Sequence, residues 1–86
     1  MVFKLHLVED DAEIREIVTD YFIEKSNGTF TISFAETGDE GQQKCIDHEY
    51  DLVLLDVMLP KVNGFTICRE LRKISDVPII FITDFT

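Results

Sequence analysis

No apolar run in this sequence approaches the roughly 20 residues that a helix needs to cross a bilayer. The start, Met1-Val2-Phe3-Lys4, leads straight into strand-like residues and lacks the apolar stretch and small-residue cleavage site of a secretion signal. These absences point to a cytoplasmic chain. Cysteine is scarce: Cys45 and Cys68 lie far apart and match no metal or redox spacing, so both read as helix-face packing residues. Basic residues are scarce too, 8 Lys and Arg against 17 Asp and Glu, for a net charge of −9. Such a domain repels nucleic-acid phosphates, so direct binding of DNA or RNA is not expected. No glycine-rich phosphate loop follows the first apolar segment, which argues against a nucleotide-binding domain. Internal repeats, low-complexity tracts and linkers are absent, so no domain boundary is drawn.

What is present is globular. Apolar residues make up 45% of 86 residues, enough for one small domain with a marginal core. Phe3–Val8 reads as a strand. From Asp11 the apolar period lengthens: Ile14, Ile17, Val18, Tyr21 and Phe22 share one face of an α-helix. Asp11 is its N-cap, and Asn27-Gly28 its stop. Phe30–Phe34 reads as a second strand. Thr37-Gly38-Asp39-Glu40 fits a capping box at the start of a helix that runs to about His48. That helix is poor in apolar residues, with Cys45 and Ile46 its best anchors.

Leu52–Leu55 is apolar without alternation, which predicts a strand buried on both faces, as at the centre of a parallel sheet. Pro60 and Asn63-Gly64 punctuate the next loop. Phe65, Cys68, Leu71 and Ile74 form a helical stripe. Pro78 opens a last strand, Ile79–Thr83. The order β-α-β-α-β-α-β implies parallel strands joined by right-handed crossovers, an α/β doubly wound sheet.

Ligands of such sheets bind beyond the carboxyl ends of the strands. There the first strand leads into Glu9-Asp10-Asp11, the third ends in Asp56 and the fourth in Thr83. Asp56 follows four buried apolar residues, where a carboxylate costs desolvation unless it faces a pocket or a partner. Carboxylates brought together repel until a proton or a cation joins them. Mg²⁺ suits such a set, because it takes one or two carboxylates and keeps waters that a phosphate oxygen can displace. The Asp56 carboxylate is then a candidate covalent nucleophile toward phosphorus. Asp11 alone reads as a cap, Glu9 and Asp10 alone as loop residues, and Thr83 alone as an ordinary strand end. His6, in a strand, and His48, near a helix end, read as structural.

Leu7-Val8-Glu9-Asp10-Asp11, the run Asp51 to Pro60, Asn63-Gly64 and the run Val77 to Thr83 together resemble the receiver domain of bacterial two-component response regulators. The resemblance covers essentially the whole chain. It implies a flavodoxin-like receiver fold with five strands in the order 2-1-3-4-5. It also implies that Asp56 is the phosphoacceptor and that Mg²⁺ (or Mn²⁺) is held by Asp10, Asp56 and the backbone carbonyl of Met58, with Glu9 acting through water. Thr83 matches the switch hydroxyl that senses the phosphoryl group. The implied partners are a sensor histidine kinase and an output domain, often a DNA-binding one, and the implied role is signalling, not enzymatic.

Two departures stand out. Over residues 1–86 the receiver is C-terminally incomplete: it lacks a fifth strand with its lysine and the last helices, roughly 30 or more residues. Asp84 stands beside the site where the family usually has a small residue. An outermost fourth strand would expose Ile79–Ile82, so self-association is expected. A second reading is therefore a receiver-like fragment that acts only in protein association. A haloacid-dehalogenase-like phosphatase wants an acid two residues after the nucleophile, where this chain has Met58.

Overall fold

The computed structural model describes residues 2–26, 29–60 and 62–82. Thr83, Asp84 and the stop at Asn27-Gly28 lie outside the described residues. The chain alternates β1 (Phe3–Val8), α1 (Ala12–Ser26), β2 (Phe30–Ala35), α2 (Gly38–Asp47), β3 (Leu52–Asp56), α3 (Gly64–Leu71) and β4 (Ile79–Ile82). The strands form one parallel sheet in the order β2-β1-β3-β4. That is the order which the resemblance implies for the first four strands.

β3 is covered on both faces, as its unbroken apolar run predicts. Leu5, Leu7 and Leu54 form a small core with Val18 and Phe22 of α1. On the other face, Val8, Ala35, Val53 and Leu55 pack with Leu59, Ile67 and Leu71 beneath α2 and α3. Burying each such side chain contributes on the order of 1.5–3 kcal/mol.

The caps form as read. The Asp11 carboxylate accepts from the Glu13 N–H at 2.8 Å and from that of Ile14 at 3.4 Å. Thr37 Oγ1 accepts from the Glu40 N–H at 3.2 Å. The Glu40 side chain does not complete a reciprocal box. It pairs with Lys44 one turn on, at 3.2 Å.

The helix faces need correction. In α1 only Val18 and Phe22 reach the core, while Ile17 and Tyr21 are exposed. A stripe five residues wide overstates what a single helix can press onto two strands. α2 is not anchored by Ile46, which is exposed. Its seat is made by Gly38 and Gly41, both buried, where the missing side chains let the helix sit on Ile67 and Val8. In α3 the buried residues are Ile67 and Leu71, with Cys68 half-buried against the same core. Phe65 is exposed and leans on Phe81 at 4.8 Å, and Ile74 lies past the helix end.

Candidate functional site

β1 and β3 are neighbours, so the residues that follow them emerge side by side. Val8 pairs with Leu55, which sets Glu9 beside Asp56. Carboxylate oxygens of Glu9, Asp10 and Asp56 all lie within 4.8 Å of one another. Among the described residues this is the one group of three or more acids, histidines or cysteines so placed. The three differ in setting: Glu9 is 1% exposed and Asp56 2%, whereas Asp10 is open to solvent.

The supports are mostly main chain. Asp56 Oδ1 accepts from the Met58 N–H at 3.0 Å, which turns the loop after β3 around the carboxylate. The Met58 side chain points out to solvent, so its backbone is what the site can use. The Glu9 N–H donates to the Ala35 carbonyl at 2.9 Å, and its Oε1 accepts from the Asp11 N–H at 3.2 Å. Glu9 Oε2 is buried without a hydrogen-bond partner.

Burial drives the Glu9 carboxyl up from its usual 4.5 to about 8, and the nearby Asp56 carboxylate adds to the rise. The bond from the Asp11 N–H opposes it. A buried carboxylate oxygen without a partner, facing a second buried carboxylate, takes a proton or a cation. This donor set of three hard oxygens fits a divalent cation of the magnesium kind.

A pH dependence follows. The unfolded chain loses the Glu9 proton near 4.5, while the folded chain keeps it to about 8. The Glu9 contribution to metal-free stability is therefore greatest below the lower value, falls as pH rises between the two, and levels off above. His6 works the other way. Its burial against Tyr50, ring centroids 4.5 Å apart, lowers it from 6.5 to about 4, so its contribution is lost as pH falls through that interval. The Glu9→Gln variant separates the two. In chelator-treated samples it should be more stable than wild type near pH 8 and similar to it near pH 4.5. Urea midpoints across that range test this, and parallel curves for the two proteins would refute it.

A pocket of about 500 Å³ opens at the other end of the sheet between Lys4, Ser33, Lys44, His48 and Tyr50. Its lining holds a single acid, Glu49. Sequence reasoning named Glu9, Asp10, Asp56 and Met58, and the structure brings these together. It missed Gly64 and Arg15. Asn63-Gly64 looked like punctuation, yet Gly64 opens α3 where an added Cβ would run into the Asp56 carbonyl. Arg15 sits on α1 and donates to the Glu9 carbonyl at 2.7 Å, a contact that no spacing rule announces.

Comparison with known proteins agrees with this geometry. Residues 5–86 match the response regulator receiver domain family. The transcriptional regulatory protein ResD of Bacillus subtilis is 40% identical over 80 residues, which cover 93% of this chain and 32% of ResD. A CpxR homolog of Haemophilus influenzae is 42% identical over 80 residues, covering 93% and 34% respectively. The chain thus spans about a third of these curated relatives. Among solved structures, the BeF3-activated receiver domain of Klebsiella pneumoniae RstA superposes with a TM-score of 0.83 at 32% identity, over 96% of this chain and 68% of that one. A CheY-like receiver from Methanospirillum hungatei, at 23% identity and TM-score 0.86, covers 100% of this chain and 67% of that one and shares the fold. This chain belongs to the response regulator receiver family, the phosphorylation-dependent signalling modules of two-component systems. No helix among the described residues is long and apolar enough to cross a membrane.

Proposed function

We propose that this chain accepts a phosphoryl group on Asp56 from a sensor histidine kinase and passes the signal to an output domain elsewhere in a longer regulator. The observation that carries the reading is the convergence of Glu9, Asp10 and Asp56 at the carboxyl end of the sheet, with Asp56 buried and oriented by the Met58 N–H. An Asp56 oxygen forms a new bond to phosphorus as the bond to the donor breaks, a P–N bond to phosphohistidine or a P–O bond to acetate. The leaving group carries off that electron pair. Mg²⁺ (or Mn²⁺) held by Asp10, Asp56 and the Met58 carbonyl, with Glu9 through water, would neutralise charge on the phosphoryl oxygens. The chain's own part is positioning: a buried carboxylate fixed by a main-chain donor.

Thr83 is assigned the hydroxyl that senses the phosphoryl group, and Asp84 a place beside it. The output domain is assigned to the remaining length of a regulator like the curated relatives, of which this chain spans about a third. The role is that of a cytoplasmic switch, not an enzyme. The curated relatives are transcriptional regulators, which supports a DNA-binding output domain. The test is intact mass after incubation with Mg²⁺ and acetyl phosphate. A single phosphoryl adduct is expected, and its absence would leave the second reading, association without phosphorylation.

That second reading has one observation in its favour. β4 is the outer strand of the described sheet, and its Ile80 is 53% exposed, with Phe81 partly exposed beside it. An outer strand with free backbone groups and apolar side chains pairs readily with another chain. We expect the 86-residue polypeptide to elute above monomer size and more so as concentration rises. Replacing Ile80 with Lys should return it to monomer. A sharp monomer peak at every concentration would overturn this expectation.

A further inference from the structure

The Arg15 guanidinium grips the chain at the point from which two of the three acids spring. Its Nη1 donates to the Glu9 carbonyl at 2.7 Å, and its Nη2 lies 3.5 Å from the Glu36 carboxylate in the β2–α2 loop. Glu9 follows the last residue of β1, and its N–H is already fixed by Ala35. The carbonyl that Arg15 holds belongs to the Glu9–Asp10 peptide. That group is planar, so a bond to its oxygen restrains rotation of the plane that carries the Cα atoms at both ends. Those two Cα atoms carry the Glu9 and Asp10 side chains.

We propose that Arg15 is a positioning residue for the cation site: by anchoring the Glu9–Asp10 peptide, it sets the spacing of these two acids relative to Asp56. The proposal rests on the reading of this cluster as the site that holds Mg²⁺ for phosphorylation. The ion pair that Arg15 makes is with Glu36 and not with an acid of the cluster. Its side chain is only 17% exposed, whereas that of Glu36 is 69% exposed. The exposed ion pair contributes little, and the shielded bond to the carbonyl carries the effect.

Mg²⁺ affinity of the 86-residue chain, measured by calorimetric titration, tests this. Arg15→Met keeps the stem and removes every donor, and should weaken Mg²⁺ binding about tenfold, the scale at which outer-shell partners act on metal sites. Arg15→Lys restores one donor and should recover part of that loss. Glu36→Gln should stay within about twofold of wild type. Wild-type affinity in a folded Arg15→Met protein would overturn the proposal and leave the phosphoacceptor reading standing. Failure of wild type itself to bind Mg²⁺ would overturn both. One measurement needs no variant: the Arg15 Hη protons of wild type should give resolved, exchange-protected NMR signals. Averaged, freely exchanging signals would sink the assignment even if Arg15→Met did not fold.

Discussion

Asp56→Asn should abolish phosphoryl incorporation from acetyl phosphate in the presence of Mg²⁺, a loss of at least about a thousandfold, as expected when a covalent nucleophile is removed. The substitution is close to isosteric. The amide oxygen can still accept the Met58 N–H that Asp56 Oδ1 accepts at 3.0 Å, so the loop after β3 has no reason to move. What disappears is the carboxylate that bonds to phosphorus. A second readout separates lost chemistry from lost structure. The negative charge of Asp56 raises the Glu9 pKa, so in the variant the Glu9 carboxyl should titrate below its present value of about 8. A folded variant with a lowered Glu9 pKa and no adduct is the expected combination. An adduct that persists would place the nucleophile elsewhere and end this reading of the site.

The parts of the fold legible in the sequence are those with a strong local cause. The unbroken run Leu52–Leu55 had to be a strand covered on both faces, and it lies between β1 and β4. Asp11 and Thr37 announced two helix starts because a short polar side chain ahead of a helix meets unpaired N–H groups, and both make those bonds. The acids were legible as a group because the carboxyl ends of neighbouring parallel strands lie at one edge.

The remainder depends on contacts between distant segments. Apolar period alone could not say which part of the α1 stripe would find a strand beneath it, and Ile17 and Tyr21 stay in solvent. It could not rank Ile67 above Phe65 in α3. Nor could it show that α2 is seated by two glycines instead of by its few apolar residues. Within the site, the sequence offered Glu9 and Asp10 as adjacent acids. Only the turn of the chain after β1 decides that Glu9 is the buried one and Asp10 the open one.

Gly64→Ala should destabilise the domain by about 3 kcal/mol, the upper part of the range for forcing atoms into a packed interior. A β-carbon at Gly64 would collide with the carbonyl oxygen of Asp56 and lie 3.0 Å from both its carbonyl carbon and the Val57 Cα. All three are main-chain atoms that no rotamer change can move. The Gly64 N–H also donates to the Val57 carbonyl at 2.9 Å, so helix and loop cannot separate without breaking that bond. The other two helical glycines calibrate the claim. At Gly41 the obstacle is the pair of Val8 methyls, at 2.6 and 2.9 Å on a stiff side chain, which predicts an intermediate cost. At Gly38 it is the Ile67 Cδ1 at 2.6 Å, the end of a side chain that can turn aside. There the helix-forming advantage of alanine, about 1 kcal/mol, should offset most of the loss. Urea midpoints should therefore fall in the order Gly64→Ala, then Gly41→Ala, then Gly38→Ala, from largest loss to smallest. The Gly64 variant should also lose phosphorylation under conditions where it remains folded, because the displaced backbone is that of the phosphoacceptor itself. Equal midpoints for the three variants, or a stable Gly64→Ala protein that phosphorylates at the wild-type rate, would show that the α3 start does not hold the Asp56 main chain in place.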